Sequence, residues 1–317
     1  MRIVFMGTPD FATGTLKALA DAGYEIAAVV TQPDKPKGRG KAMQPTPVKE
    51  MALSLGLPVL QPQKVKEESF LKQMETIRPD VIVVAAFGQI IPPALLAIPP
   101  LGCVNVHASL LPAYRGAAPI QWAVIDGQKE SGVTIMRMDE GLDTGDMISK
   151  VVVPLAQDET GGSLFDKLSA AGAKLLVETL PSLEQGTAVL EKQPKESPTP
   201  YASMITKKMG DICWEQPAQQ LERLIRGLNP WPSAYTFLGK KSLKLWRAQV
   251  LENVSGQDAP AGTVLQADAG GFLVQTGDGI LKILELQLEG KKRMDAEAFL
   301  RGCQIPAGTV LTQNRQE

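Results

Sequence analysis

The chain has 317 residues, 44% hydrophobic and 21% charged, with a formal net charge of −1; this is enough chain for about two domains, each with its own core. No apolar run approaches the roughly 18 residues of a membrane span. Three scattered cysteines and a single histidine offer no ligand set for zinc or another structural metal, so none is expected, and the sparse, odd cysteine count fits a reducing cytoplasm.

The opening stretch MRIVFMGTPDF is apolar only briefly and lacks a small-residue cleavage site, so it reads as a strand entering a turn. Residues 2–7 and 25–32 read as buried strands around a helix with Phe11, Leu16 and Leu19 on one face and a stop at Gly23. The segment TQPDKPKGRGKAMQPTPVK (31–49) then carries five basic residues and one acid. It is rich in Pro and Gly and too broken for a helix; a solvated loop and a mobile basic arm for a polyanion are both open readings. A helix over 47–56, a short strand at 58–62, a helix near 67–78, a strand over 80–88, a strand in GCVNVHAS (102–109) and a helix over 119–127 continue the alternation. Such alternation predicts an α/β fold, a Rossmann-like doubly wound and mostly parallel sheet. Residues 132–155 resemble a long hairpin, and 161–186 a long helix capped by Ser163 or Gly162.

Around 189–206 three prolines and several polar residues suit a linker. Beyond it one helical patch (217–228) precedes short strands separated by Gly-rich turns, the pattern of a small OB-like β-barrel or a sandwich. The expected organisation is therefore a catalytic domain over 1–188, a linker over 189–206 and a C-terminal OB-like domain over 207–317. From 207 to 317 there are 14 Lys/Arg against 12 Asp/Glu, net +2, while the rest of the chain is net −3. KKSLKLWR (240–247) and GKKRMDAEAFLR (290–301) add basic patches with aromatic neighbours. Overall charge near zero argues against nucleic-acid binding as a global property but leaves room for local basic surfaces.

The lone histidine, His107, lies in VNVHASLLPAYRG (104–116). In a strand, Cys103, Asn105 and His107 face one side and Val104, Val106 and Ala108 the other, with Asn105 and His107 about 7 Å apart. The carboxyl edge of a parallel strand is where open α/β sheets bind ligands. A solitary histidine is commonly a hydrogen-bonded core residue; Asn105 on the same polar face favours a site. Asp139, Glu140, Asp143 and Asp146 are candidate carboxylates to orient the imidazole, with Asp143 bracketed by two glycines; a plain Asp/Gly hairpin turn is the alternative. Other motifs are weak. MGTPDFA lacks the dinucleotide-binding glycines, there is no Walker loop, and no nucleophile elbow surrounds Ser109.

With Asn-x-His-x-Ser-Leu-Leu-Pro (105–112), Tyr114-Arg115-Gly116 and Leu142-Asp143-Thr144-Gly145 in hand, the chain resembles the 10-formyltetrahydrofolate-dependent formyltransferases. Among them it is most similar to the methionyl-tRNA formyltransferase family, from VFMGTPDFA through FGQIIP (87–92) to NPWPSA (229–234). The resemblance implies formyl transfer from 10-formyltetrahydrofolate to the α-amine of methionyl initiator tRNA, with Asn105, His107 and Asp143 catalytic and no metal. It places the folate along Phe87, Gly88, Gln89 and Ile90 and along Ser109, Leu110, Leu111 and Pro112. It assigns tRNA contacts to Lys35, Lys37, Arg39 and Lys41 and to the C-terminal domain. It implies a cytoplasmic protein with no membrane attachment and no obligate protein partner. The nearest rival is a formyltransferase acting on a nucleotide-linked amino sugar, which would use the same three residues but need neither the basic loop nor the barrel. A non-catalytic folate- or RNA-binding module is the reading from another class.

Overall fold

A computed structural model describes residues 1–37, 42–251 and 258–313, so Arg39 and Lys41 lie outside the described residues. In chain order it contains β1 (Arg2–Gly7), α1 (Asp10–Asp21), β2 (Glu25–Val30), β3 (Lys35–Lys37), β4 (Ala42–Gln44), α2 (Pro47–Ser54), β5 (Val59–Leu60), α3 (Glu68–Ile77), β6 (Val81–Ala85), α4 (Pro93–Leu96), β7 (Cys103–His107), α5 (Pro119–Ile125), β8 (Glu130–Arg137), β9 (Met147–Pro154) and α6 (Gly161–Glu184). There follow α7 (Ala218–Gly227), β10 (Ala234–Leu238), β11 (Lys241–Val250), β12 (Val264–Asp268), β13 (Gly271–Gln275), β14 (Ile280–Leu288), β15 (Met294–Asp295) and α8 (Ala296–Gly302). The chain forms two compact units. One comprises Met1–Pro119, Glu130–Pro154 and Phe165–Ala202; the other comprises Ile120–Lys129, Leu155–Leu164 and Ser203–Glu317.

The first unit is built on a seven-stranded sheet in the order β5-β2-β1-β6-β7-β8-β9. The strands from β5 to β7 are parallel, whereas β8 pairs antiparallel with both β7 and β9. The central strands β1 and β6 are uninterrupted apolar runs because both faces are covered, so no alternation is needed. One face packs Met6, Val30, Phe70, Met74, Val84 and Leu95 into a common cluster. On the other side Ser169 of α6 donates to the Phe11 carbonyl at 3.0 Å, and the Phe11 and Phe165 rings meet edge to face at 5.5 Å. The winding reverses between β1 and β6, since β2 and β5 lie to one side and β7 to the other. The carboxyl ends of β1, β6 and β7 therefore frame the crevice that this topology reserves for ligands.

The basic segment is not a plain loop: β3 and β4 pair antiparallel, Lys35 with Gln44, Pro36 with Met43 and Lys37 with Ala42. Its base is tied to the sheet. Lys49 meets Asp34 at 2.6 Å, and Gln61 donates to Asp34 at 2.7 Å and to the Gln32 carbonyl at 2.9 Å. Thr46 caps α2 by accepting from the Lys49 amide at 3.1 Å, with Pro47 pre-set for the first helical position. The hydrogen bonds from Lys49 and Gln61 hold the Asp34 carboxyl below the ordinary aspartate value of 3.8. Its contribution is thus fully present at neutral pH and is lost as pH falls through that lowered value. A carbon-13 titration should give Asp34 a midpoint below 3.8 that moves back up in Lys49→Met; an unshifted wild-type midpoint would remove this anchor.

In the second unit β10-β11-β14-β13-β12 form one antiparallel sheet, with β15 paired to β14. The chain beyond α8 bridges its two edges: Phe237 exchanges hydrogen bonds with Thr312, and Thr263 bridges Val310. This closes the sheet into the small antiparallel barrel expected from the turn pattern, which removes the exposed edges. Trp214, Phe272, Leu245 and Leu286 fill it, and Leu221 and Ile225 of the amphipathic α7 complete the core. Within the same unit Thr160 rather than Ser163 caps α6. Thr160 Oγ1 accepts from the Ser163 amide at 3.0 Å while Ser163 Oγ accepts from the Thr160 amide at 2.9 Å, a reciprocal capping box.

Candidate active site

β7 lies between parallel β6 and antiparallel β8, with Asn105 opposite Val84 and Met136 and His107 opposite Thr134. Every residue of CVNVH is buried. The period of two carries Cys103, Asn105 and His107 along one face, from the apolar middle of the sheet to its carboxyl edge. Asn105 is 9% exposed and His107 6%. Among the described residues the Asn105 amide has no hydrogen-bond partner, and it keeps a little contact with solvent.

Cys103, at the far end of the same face, packs with Ile82, Val84 and Leu95. Burial pushes its thiol from 9.0 up to about 12, which leaves on the order of 10³-fold less thiolate at neutral pH. Cys103 is a core residue and no nucleophile. Mapping of thiol labelling at pH 8 should show it reacting at least about 100-fold more slowly than half-buried Cys303; comparable rates would contradict this packing.

The imidazole of His107 faces two acceptors. Nε2 lies 3.2 Å from the Tyr114 carbonyl and Nδ1 lies 3.6 Å from Asp143 Oδ1. Both are long, at or beyond the upper end of ordinary hydrogen-bond distance. Of the four candidate carboxylates the fold selects Asp143. Asp139 is spent on its own turn, accepting from the Gly141 amide at 3.0 Å and from Thr144 at 2.8 Å. That turn bends the chain back so that Asp143, in the left-handed region at φ 56°, points to the β7 edge, where Oδ2 accepts from the Gly116 amide at 2.9 Å. Gly145 permits the return, since a Cβ there would lie 1.8 Å from the Arg137 carbonyl oxygen.

The residues expected to line a folate site occupy two loops of this edge. Phe87 is buried, with its carbonyl accepting from Thr8 at 2.8 Å; Gly88 has φ 85°. Gln89 accepts from the Val65 amide at 3.0 Å, and Ile90 is 75% exposed. In the second loop Ser109 donates to the Ala113 carbonyl at 2.7 Å. Leu111 is buried, its amide donating to Thr134 at 3.1 Å, while Thr134 donates to the Ser109 carbonyl at 2.7 Å. Leu110 and Pro112 are half-buried. The Phe87 and Ser109 carbonyls and the Leu111 amide are thus held by side chains of neighbouring segments, while Ile90 presents apolar surface.

Several residues of this scaffold were not singled out from the sequence. Gln193, within the stretch expected to be a linker, donates to the carbonyls of Asp143 at 2.9 Å and Gly145 at 2.7 Å. The buried Arg115 reaches Gln193 in turn, and Thr199 and Ser197 bond the backbone of Tyr114 and Pro112. A polar stretch between prolines carries no periodic signal that would have marked them. In the second unit the two basic patches meet across β11, β14 and β15. Lys244 and Arg293 lie 5.5 and 4.5 Å from the Trp246 ring centre, and Arg293 is paired with Glu285. Among the described residues no helix is long and apolar enough to cross a membrane, and no three His, Cys, Asp or Glu side chains are grouped to hold a metal ion.

Residues 1–180 match the formyl transferase family and residues 204–304 its C-terminal domain. The chain is 57% identical over 312 residues to a methionyl-tRNA formyltransferase of Agathobacter rectalis, covering 98% of this chain and 100% of the relative. It is 54% identical over 314 residues to one of Lachnospira eligens, covering 98% and 99%. The chain belongs to the formyl transferase family and, within it, to the methionyl-tRNA formyltransferases. The fold is shared with WlaRD, a sugar 3N-formyl transferase in the presence of dTDP and 5-N-formyl-THF, at a TM-score of 0.67 and 18% identity, covering 92% of this chain and 99% of that one. It is also shared with HypX from Aquifex aeolicus in complex with tetrahydrofolic acid, at a TM-score of 0.62 and 18% identity, covering 95% and 47%.

Proposed function

We propose that this protein transfers the formyl group of 10-formyltetrahydrofolate to the α-amine of methionyl initiator tRNA, in the cytoplasm where translation starts. The observation that carries this reading is the unpartnered Asn105 amide beside His107 at the carboxyl edge of β7, with Asp143 facing the imidazole. The folate co-substrate supplies the formyl carbon. The methionyl nitrogen attacks that carbon, the new C–N bond forms and the bond to N10 breaks, and negative charge develops on the formyl oxygen. Asn105 Nδ2 donates to that oxygen, and His107 donates from Nε2 by exchanging its long contact with the Tyr114 carbonyl for it. Together they make an oxyanion hole from side chains. Asp143 orients the imidazole and accepts the proton shed by the amine, directly or through a water, for delivery to N10. Burial of the donors strengthens them, because water does not compete.

The folate lies against Phe87–Ile90 and Ser109–Pro112, which fit a flat ring between apolar side chains and backbone polar groups. Residues 1–188 act as the catalytic domain and 207–317 as the tRNA-binding domain. The basic segment that carries Lys35, Lys37, Arg39 and Lys41 takes the acceptor end, and the Lys244–Trp246–Arg293 cluster follows the phosphates. A nucleotide-linked amino sugar would leave both basic surfaces without a role. The test offers formyl-labelled 10-formyltetrahydrofolate with methionyl initiator tRNA, methionyl elongator tRNA or a nucleotide-linked amino sugar. Label should move to the initiator species alone; transfer to the sugar, or equal transfer to both tRNAs, overturns the reading.

A further inference from the structure

The mechanism needs the Asp143 carboxylate at a fixed place, yet the residue sits in a turn between β8 and β9 with its backbone at φ 56°, a region that side-chain-bearing residues rarely adopt. Asp tolerates that region better than most residues, and contacts from outside the turn fix it there. Gln193 does so with both amide hydrogens, one on the Asp143 carbonyl at 2.9 Å and one on the Gly145 carbonyl at 2.7 Å. It is 50 residues away in sequence, and it adds a long-range hold to the local turn closed by Asp139 and Thr144.

The orientation of that amide is itself determined. Its oxygen accepts a fork from Arg115, Nε at 3.0 Å and Nη2 at 2.8 Å. A guanidinium only donates, so the amide oxygen must face it and the NH2 group must face the two carbonyls. Arg115 is buried, and two of its three remaining hydrogens go to the carbonyls of Pro194 at 2.7 Å and Lys195 at 3.1 Å. On the near side Arg115 adjoins Gly116, whose amide holds the Asp143 carboxylate; Gly116 has φ 128°, and a Cβ there would lie 2.6 Å from the Ala202 carbonyl oxygen. The strap over 191–202 is bonded to both loops at once. Glu191 exchanges backbone hydrogen bonds with Met147, and Ala202 accepts from the amides of Ala117 and Ala118.

We infer that Gln193, oriented by Arg115, is a positioning residue that sets the Asp143 carboxylate against His107, so that the 191–202 strap is part of the catalytic apparatus and not a passive connection. The inference rests on the formyl-transfer reading above. Gln193→Glu separates the two roles of the side chain, because a carboxylate still accepts the Arg115 fork but cannot donate to the two carbonyls. Gln193→Met, of similar length, removes both.

The test measures formyl transfer to methionyl initiator tRNA by Gln193→Glu and Gln193→Met, each alone and in an Asp143→Asn background. Each single variant should lower kcat about 10-fold or more, the scale of effect of a small misplacement of a reacting group, with KM for folate and tRNA within about twofold. In Asp143→Asn neither should cause a further fall, because the group being positioned is already gone. A Gln193→Glu enzyme with wild-type kcat, or a full additional loss in the Asp143→Asn background, overturns the inference. A wild-type protein that does not transfer formyl groups would instead overturn the functional reading itself.

Discussion

Deleting residues 35–41 is expected to lower kcat/KM for methionyl initiator tRNA by about 100-fold or more, the scale of losing several phosphate contacts together. Folate binding should stay within about twofold. The separation follows from the fold. The deletion removes β3 and the basic residues beyond it, but leaves the Asp34–Lys49 pair and the Gln61 contacts that close the base. The loops proposed to hold the folate, 87–90 and 109–112, are bonded to Thr8, Val65 and Thr134 and, among the described residues, not to the hairpin. Rates should also become less sensitive to salt, since fewer counterions are released on binding. Steady-state formylation at two salt concentrations checks both points. A deletion variant with wild-type kcat/KM would show that the hairpin is only a solvated surface feature.

Removing either donor from β7 should be still more costly to the chemical step. Asn105→Ala and His107→Ala are each expected to reduce kcat by about 10²–10³-fold, the range found when one oxyanion-hole donor is lost, or about 3–4 kcal/mol of transition-state stabilisation. Neither side chain supports the sheet. Among the described residues the Asn105 amide has no partner, and the His107 ring makes only the two long polar contacts to Tyr114 and Asp143. Both variants should therefore fold and bind folate, with the loss in kcat rather than KM. The double variant should lose much less than the product of the two, because a half-built oxyanion hole already fails. Single-turnover formylation with near-normal rates in either variant would move the site away from this strand.

The strand that carries the candidate site was legible because its code is short-range. A buried run with polar residues at alternate positions places Asn105 and His107 on one face whatever the rest of the chain does, and β7 bears this out. The alternation of strands and helices similarly gave the doubly wound sheet, and Gly-spaced short strands gave the barrel. Asp143 was one of four acidic candidates until the turn closed by Asp139 and Thr144 aimed it at the imidazole. The hairpin in the basic segment was invisible to pattern, since its three-residue strands are too short for periodicity and one holds a proline. Gln193 was invisible for a different reason. Its role depends on a long-range fork from Arg115 and on two carbonyls 48 and 50 residues away, and the polar, proline-rich sequence around it resembles any connection.

The proposed oxyanion hole is most directly tested by the carbonyl stretch of carbon-13-labelled formyl in 10-formyltetrahydrofolate bound without an amine acceptor, read by infrared difference spectroscopy. Two donors aimed at one oxygen should lower that frequency in the wild-type complex, and both Asn105→Ala and His107→Ala should bring it back towards the value in water. The same frequency in all three proteins, with folate bound to each, would contradict the account.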